Sequence, residues 1–343
     1  MIDQGRHKVA LALQGGGSHG AYTWGVLDRL LDHTAIDVAG VTGTSAGAMN
    51  GAVLVDGLVR GGKQQARDKL RQFWEAVGAM PGFGSLFWHV PGKVAATMRL
   101  ESIPAYAAFE MFSRHFSPYT YFPSNYSPLR PLLTKLIDFE RLRAQEEVQL
   151  IVCATNARTA RRRVFTNQDV TVDALLASAC MPQLLPAVEI DGEPYWDGSF
   201  TGNPAFGPLL RKITECDLII IRVDPVSRRE APRTMRDIFD RTVEISQNST
   251  FWLELSAVAV VLRLVDQGLI DRTQLGRIRF HGIEASPAME EFPTSSKLNN
   301  YPALLEYLFD LGRQAGDAWL VQNETAIGQR STIDLRQLLP VDV

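Results

Sequence analysis

The segment Gly43-Thr44-Ser45-Ala46-Gly47 constrains this chain more than any other. It follows a short apolar run, Val38 to Val41, and precedes a helix-compatible stretch, Ala48 to Val59. A serine at the tip of a strand-to-helix turn takes strained dihedrals. Side chains two positions before and after it would collide with the turning backbone, which is why G-x-S-x-G carries glycine there. The turn presents the Ser45 hydroxyl at the start of a helix, whose positive end favours any anion formed beside it. The five residues alone recur by chance in glycine-rich chains; the strand before and the helix after give the match its weight.

A second glycine loop precedes the first. Val9 to Leu13 reads as a buried strand that breaks into Gln14-Gly15-Gly16-Gly17-Ser18-His19-Gly20, and Ala21, Trp24, Val26, Leu27, Leu30 and Leu31 then fall at helical spacing. Strand, loop, helix, strand, turn, helix predicts an α/β fold with a parallel sheet and covering helices. Both loops then lie side by side at the carboxyl edge of the sheet, where ligands bind in such folds. Two readings of the loop compete. Gly15, Gly17 and Gly20 satisfy the dinucleotide fingerprint G-x-G-x-x-G, or the amides of Gly15, Gly16 and Gly17 form an oxyanion hole. The dinucleotide reading needs an acidic residue at the end of the next strand. Asp37 precedes that strand instead, and the serine turn occupies its end, which favours the oxyanion hole.

Composition narrows the partners. A net charge of −3 argues against a general nucleic-acid binder. Cys153, Cys180 and Cys216 are far apart and form no CxxC pair, so neither a disulfide framework nor a zinc site is expected; no metal and no cofactor are assigned. The N-terminus carries no signal-peptide pattern. The most apolar stretch, Ala257 to Leu262, is interrupted by Arg263, so no transmembrane helix is expected. The expectation is a cytoplasmic protein, in contact with membranes at most peripherally.

Further along, Gln65 to Val77 reads as helix, and Met80 to Tyr126 is an irregular aromatic-rich segment suited to a lid, a lipid-facing wall (Phe83, Phe87, Trp88, Phe109, Phe112, Phe116) or a cap contributing to the core. Strand signals return at Val148 to Ala154, Arg163 to Thr166, Val188 to Ile190, Leu218 to Val223 and Arg277 to Phe280. Helical patterns cover Val172 to Ala179, Met235 to Gly268 and Pro302 to about Val321. Leu253, Ala257, Val260, Val261 and Leu264 form a helical stripe read as core. Two arginine clusters, at 158–163 and 228–236, are read as solvated surface or as contacts for anionic headgroups. No linker divides the chain, so residues 1–343 are taken as one domain, with a motif-bearing core at about 7–210 and a helical extension at about 232–343.

A third feature is Asp197-Gly198 in a turn-rich segment, which alone is a common surface turn. The set of three changes that. Gly15 to Gly20, Gly43 to Gly47 and Asp197 to Ser199 match in order and spacing the pattern G-G-G-x-R/K-G, G-x-S-x-G, D-G-G/A, and over roughly residues 7–210 the chain resembles the patatin-like phospholipase family. Leu11-Ala12-Leu13 and Ser178-Ala179-Cys180-Met181-Pro182 also look like that family's surroundings. The resemblance implies a three-layer sandwich around a mostly parallel sheet. It also implies a serine hydrolase with Ser45 as nucleophile and Asp197 as general base, an oxyanion hole at Gly15, Gly16 and Gly17, supporting glycines Gly20, Gly43, Gly47 and Gly198, and cleavage of lipid acyl esters; no metal-ligand set stands out in the sequence, so calcium-independent catalysis is expected. Contact with a membrane or lipid-droplet surface follows from such a substrate. The chain departs from the pattern at His19, where Arg or Lys is usual, and at Ser199, where Gly or Ala is usual. His19 removes a permanent charge and is expected to lower activity or make it pH-dependent. Alternatives left open are a Ser45–Asp197–His281 triad on an α/β-hydrolase fold, transfer of the acyl group to an alcohol, cleavage of a polyester, and a catalytically silent lipid binder.

Overall fold

The computed structural model describes residues 6–82, 90–213, 215–225, 231–271 and 277–335. β1 (His7–Leu13) is buried from Val9 onward on both faces, as a central strand between two helical layers must be. It breaks at the glycine loop into α1 (Gly20–Asp32). β2 (Ile36–Gly43) runs through Thr44-Ser45 into α2 (Ala46–Gly78), which breaks at Gly61-Gly62, where the expected gap between two helices falls. Helices α3 (Gly92–Thr97), α4 (Pro104–His115), α5 (Arg130–Leu136) and α6 (Phe139–Ala144) lead to β3 (Gln149–Asn156). Then come β4 (Arg162–Thr166), α7 (Val172–Ser178), β5 (Val188–Ile190), β6 (Glu193–Trp196), α8 (Gly207–Leu210), β7 (Glu215–Ile221), α9 (Met235–Asp266), β8 (Arg277–Ile283) and α10 (Pro302–Asn323).

The eight strands among the described residues form one sheet, ordered β5-β6-β3-β2-β1-β7-β8, with β4 also paired to β3. The central pairings β3–β2–β1–β7–β8 are parallel; β4 and β6 meet β3 antiparallel. This is a mixed α/β fold with a central, mostly parallel sheet flanked by helices. Alternation along β1 divides the core. Val9, Leu11 and Leu13 face a layer built from α1, α2, α7 and α10, while Ala10 and Ala12 face Phe206, Leu209, Phe251, Leu255 and Ala259 of α8 and α9 and their approaches. Asp28 of α1 receives Arg67 from α2 at 2.8 Å and is also paired with Arg313 from α10, which locks three helices of one layer together.

Two expectations change. The stripe Leu253, Ala257, Val260, Val261, Leu264 is not core: Leu253 is 68% and Val260 46% exposed. The buried face of α9 is Asn248, Phe251, Leu255 and Ala259, turned away from that stripe. α9 is apolar on both sides, so its periodicity could not choose between them. By length and composition alone, Asp237–Asp266 is also apolar enough to cross a membrane, a property the sequence expectation did not assign to it. In this fold it lies on the sheet, tied down by Glu254, which accepts the amides of Phe206 at 2.9 Å and Gly207 at 3.2 Å and pairs with Arg162.

The aromatic-rich segment divides. Ala95, Ala96, Leu100 and Tyr106 are buried, whereas Phe112 and Phe116 are stacked on each other at 4.5 Å and about half exposed. Phe83, Phe87 and Trp88 lie outside the described residues. In the first arginine cluster, Arg158 pairs with Glu193, Arg162 with Glu254 and Arg163 with Asp191, so these three arginines stitch the β-hairpin region together. Arg228 and Arg229 of the second cluster lie outside the described residues.

Candidate active site

Ser45 sits at φ 55°, ψ −124°, a positive-φ conformation that a residue with a Cβ rarely adopts. The turn is tight because Gly43 and Gly47 face each other. A Cβ on Gly43 would lie 2.3 Å from the Gly47 carbonyl oxygen, and one on Gly47 would lie 2.2 Å from that of Leu13. The Ser45 amide donates to Ser178 Oγ at 3.0 Å, at the end of α7, which fixes the turn from the far side. Gly20 and Gly15 serve close packing: a Cβ on Gly20 would meet Ala46 Cβ at 2.7 Å, and one on Gly15 would meet Ser45 Cβ at 2.8 Å. The two loops therefore touch at the carboxyl edge of the sheet.

Asp197 reaches the same place by an antiparallel hairpin. Asp191-Gly192, both at positive φ, turn β5 into β6, in keeping with the preference for Asp-Gly in tight hairpins. β6 pairs with the end of β3, Trp196 opposite Thr155. The Asp197 amide then donates to Cys180 O at 2.8 Å, and Thr155 Oγ1 donates to the Asp197 carbonyl at 2.8 Å. Gly198 lies against β3, where a Cβ would sit 2.2 Å from the Cys153 carbonyl oxygen.

The carboxylate of Asp197 is 1% exposed. Its Oδ1 accepts the Ser199 amide at 2.8 Å, and the nearby hydroxyls of Ser199 and Ser45 favour its charged form. Burial pushes its pKa above the ordinary carboxylate value; the Ser199 and Ser45 hydrogen bonds and the Lys297 ammonium pull the other way without cancelling it. The Ser199 departure thus supplies an extra donor to Asp197. Ser45 itself is partly exposed.

The expectation that Gly15, Gly16 and Gly17 all offer free amides changes at one residue. The Gly15 amide donates to Asn203 Oδ1 at 2.8 Å in a buried contact, so it is not free to meet a substrate. The amides of Gly16 and Gly17 have no acceptor among the described residues. Asn203 belongs to a segment that closes over both loops: Thr44 Oγ1 donates to Gly202 O and Thr42 Oγ1 to Ala205 O, each at 2.7 Å. Gly17, at φ 57°, packs under Lys297, whose carbonyl oxygen lies 2.4 Å from a notional Cβ there. Lys297 pairs with buried Asp224 at 2.7 Å. Nothing local in the sequence marks Asn203 or Lys297, and Ser178 stands out only as the first residue of the family-like Ser178-to-Pro182 stretch; each reaches the site from a distant segment.

Other expectations are displaced. His19 is 4% exposed, with Nε2 against Ser296 Oγ at 2.8 Å and its ring edge-on to Phe292; it is a packed interior side chain rather than a solvent-facing charge site. His281 is fully buried on β8, with Nε2 2.8 Å from Asp217 Oδ1 and Nδ1 3.1 Å from Thr332 Oγ1. β8 is three strands from β2 in the sheet order, roughly 14 Å at ordinary strand spacing. The structure does not assemble a Ser45–Asp197–His281 triad. Asp37 lies near the amino end of β2, opposite Lys8, away from both loops, which removes the dinucleotide reading. Cys153, Cys180 and Cys216 are buried and unpaired. No cluster of three or more His, Cys, Asp or Glu suited to a metal ion occurs among the described residues.

No curated protein matches the chain. Among solved structures, VipD from Legionella pneumophila aligns at 16% identity and TM-score 0.38 over 89% of this chain and 67% of that one. The type III effector protein ExoU aligns at 15% identity and TM-score 0.34, over 92% of this chain. The chain spans about half the length of ExoU, 53% of it. ExoU in complex with SpcU, from the type III secretion system of Pseudomonas aeruginosa, aligns at 15% identity and TM-score 0.31 over 72% of this chain and 50% of that one. The sequence pattern described as patatin-like phospholipase matches residues 11–210, which span both glycine loops, Ser45 and Asp197. This chain belongs to the patatin-like phospholipase family.

Proposed function

We propose that the protein is a lipid acyl hydrolase that works through a Ser45–Asp197 dyad. The observation that carries the reading is the strained Ser45 turn brought beside a buried carboxylate, Asp197, whose pKa is raised by desolvation and drawn back down by the Ser45 hydroxyl. A carboxylate at its ordinary pKa is a weak base at neutral pH; one taken out of water and held against its partner hydroxyl is a better one. Ser45 Oγ attacks the ester carbonyl carbon while its proton passes to Asp197. The tetrahedral oxyanion faces the amides of Gly16 and Gly17, with each such donor worth about 3 kcal/mol of barrier. Collapse expels the alcohol, which takes the proton from Asp197 and leaves the acyl group on Ser45. Water then attacks the acyl-enzyme, gives its proton to Asp197 and releases the fatty acid, and the proton returns to Ser45. Gly15 acts through Asn203, holding the loop in place.

Family membership supports a phospholipid or other lipid ester as substrate. The test is fatty-acid release from phosphatidylcholine vesicles. The wild type is expected to release fatty acid and Ser45→Ala to release none above background. Equal release by both proteins rejects the reading.

A further inference from the structure

Beyond residue 210 the chain builds a second concavity that neither Ser45 nor Asp197 lines. A cavity of about 440 Å³ lies between the carboxyl end of β7 and the stretch of α9 from Arg241 to Ser256. Arg222, Arg241, Asn248, Ser249, Trp252 and Leu253 are in its wall.

Arg222 is 2% exposed and lies over the rings of Phe251 and Trp252, at 4.9 and 5.3 Å. Its Nη1 donates to Glu284 Oε2 at 3.1 Å and its Nη2 to the Asp224 carbonyl at 3.4 Å. Its Nε is buried and meets no acceptor among the described residues. Buried donors without partners are rare, and an oxyanion bound beside this one would satisfy it. Glu284 is 56% exposed on its side chain, so its hold on Arg222 is solvent-screened and open to exchange. Arg241 adds a second guanidinium, paired with Glu244 at 3.0 Å. The planar fork of an arginine fits a carboxylate or phosphate. Glu244, Asn248, Ser249 and Ser256 add polar groups to the wall, and Ile245, Trp252 and Leu253 give it an apolar strip, with Leu253 68% and Ile245 55% exposed along the helix.

We propose that this cavity binds a single-chain amphiphile with one oxyanionic head, the head on Arg222 and Arg241 and the chain along Trp252, Ile245 and Leu253. The site adjoins the glycine loop. Asn248 Oδ1 accepts from Gln14 Nε2 at 2.6 Å, and Gln14 Oε1 accepts the amides of Val223 and Asp224 at 2.8 and 3.0 Å. Gln14 immediately precedes Gly15, so an occupant rests on the wall that supports the loop. The proposal does not depend on Ser45 chemistry, because the ligand is bound rather than cleaved.

Calorimetric titration with submicellar decanoate and decyl phosphate tests it, with decanol and decyltrimethylammonium as head-group controls. Neither anion is a carboxylic ester, so the result is independent of turnover. One-to-one binding of at least one anion is expected, weakened tenfold or more by Arg241→Gln and by Ser249→Trp. Ser249 is exposed, so its replacement fills the mouth without disturbing the core, and thermal melting verifies that both variants fold. The tighter anion distinguishes a fatty-acid carboxylate from a phosphate headgroup. No binding of either anion, equal binding of decanol or of the cationic control, or binding unchanged in Ser249→Trp overturns the proposal.

Discussion

The amide of Gly15 donates to the carboxamide oxygen of Asn203, 188 residues further along the chain, at 2.8 Å in a buried contact. The bond joins the loop that precedes Ser45 to the segment that follows Asp197, so the two halves of the proposed dyad are held by a shared strut. Asn203→Leu keeps the approximate volume and removes the acceptor. A buried N–H left unsatisfied costs about 1–3 kcal/mol. The variant is expected to melt at a lower temperature and to lose at least tenfold in esterase turnover, measured on a p-nitrophenyl ester. Unchanged turnover would show that the loop is positioned without Asn203.

Asp197 is expected to set the acid limb of the pH–rate profile. Burial raises its pKa above the ordinary carboxylate value, so kcat/KM should fall on acidification at a pH above that of a free aspartate. Ser199 opposes the shift by donating to the carboxylate. Ser199→Ala withdraws a donor from the charged form, so its acid limb should move to still higher pH. A limb that stays in place, or moves lower, would remove Ser199 from the account.

The same carboxylate has a stability signature. A folded-state pKa above the unfolded value means that the native protein holds the proton more tightly. The contribution of Asp197 to stability is therefore most favourable below its unfolded value of about 3.8 and is lost as pH rises through the higher folded value. Asp197→Asn should therefore gain melting temperature relative to wild type at pH 8, and the gain should shrink as pH falls through the folded pKa. A gain that grows on acidification would mean that the native pKa is depressed instead. Parallel melting curves across this range read the sign directly.

Gly43 and Gly47 offer a steric test of the turn. A Cβ at either would lie 2.3 or 2.2 Å from a backbone oxygen that cannot rotate away. Each alanine variant is expected to lose about 1–3 kcal/mol or more to overpacking. Gly207 is the control: the nearest atom to a Cβ there is Glu254 Oε2 at 3.9 Å, and the residue starts α8. Gly207→Ala should be neutral or gain about 0.4–1 kcal/mol. Chemical denaturation of the three variants ranks them.

The parts of this fold that could be read in the sequence are those decided within a few residues. β1, β2, β5 and the break of α2 near Gly61-Gly62 follow from apolar runs and glycines. The Ser45 turn follows from its two glycines. α9 was legible as a helix but not as to its inward side, because both Leu253 and Phe251 are apolar and the sheet chose Phe251. The short strand β6 was hidden among turn residues and exists because Tyr195 and Trp196 find β3. In the site, Ser45 and Asp197 were nameable, whereas the loss of the Gly15 amide to Asn203 was not. That contact depends on two loops meeting in space. The packing of His19 against Ser296 and Phe292 was hidden for the same reason.

The most direct measurement is mass-spectrometric mapping of a fluorophosphonate adduct on wild type and Asp197→Asn, alongside ester turnover. The account predicts a single adduct on Ser45 in the wild type, labelling slowed at least a hundredfold in Asp197→Asn, and a matching loss of turnover. An adduct on another residue, or an Asp197→Asn protein that labels and turns over like wild type, would contradict it.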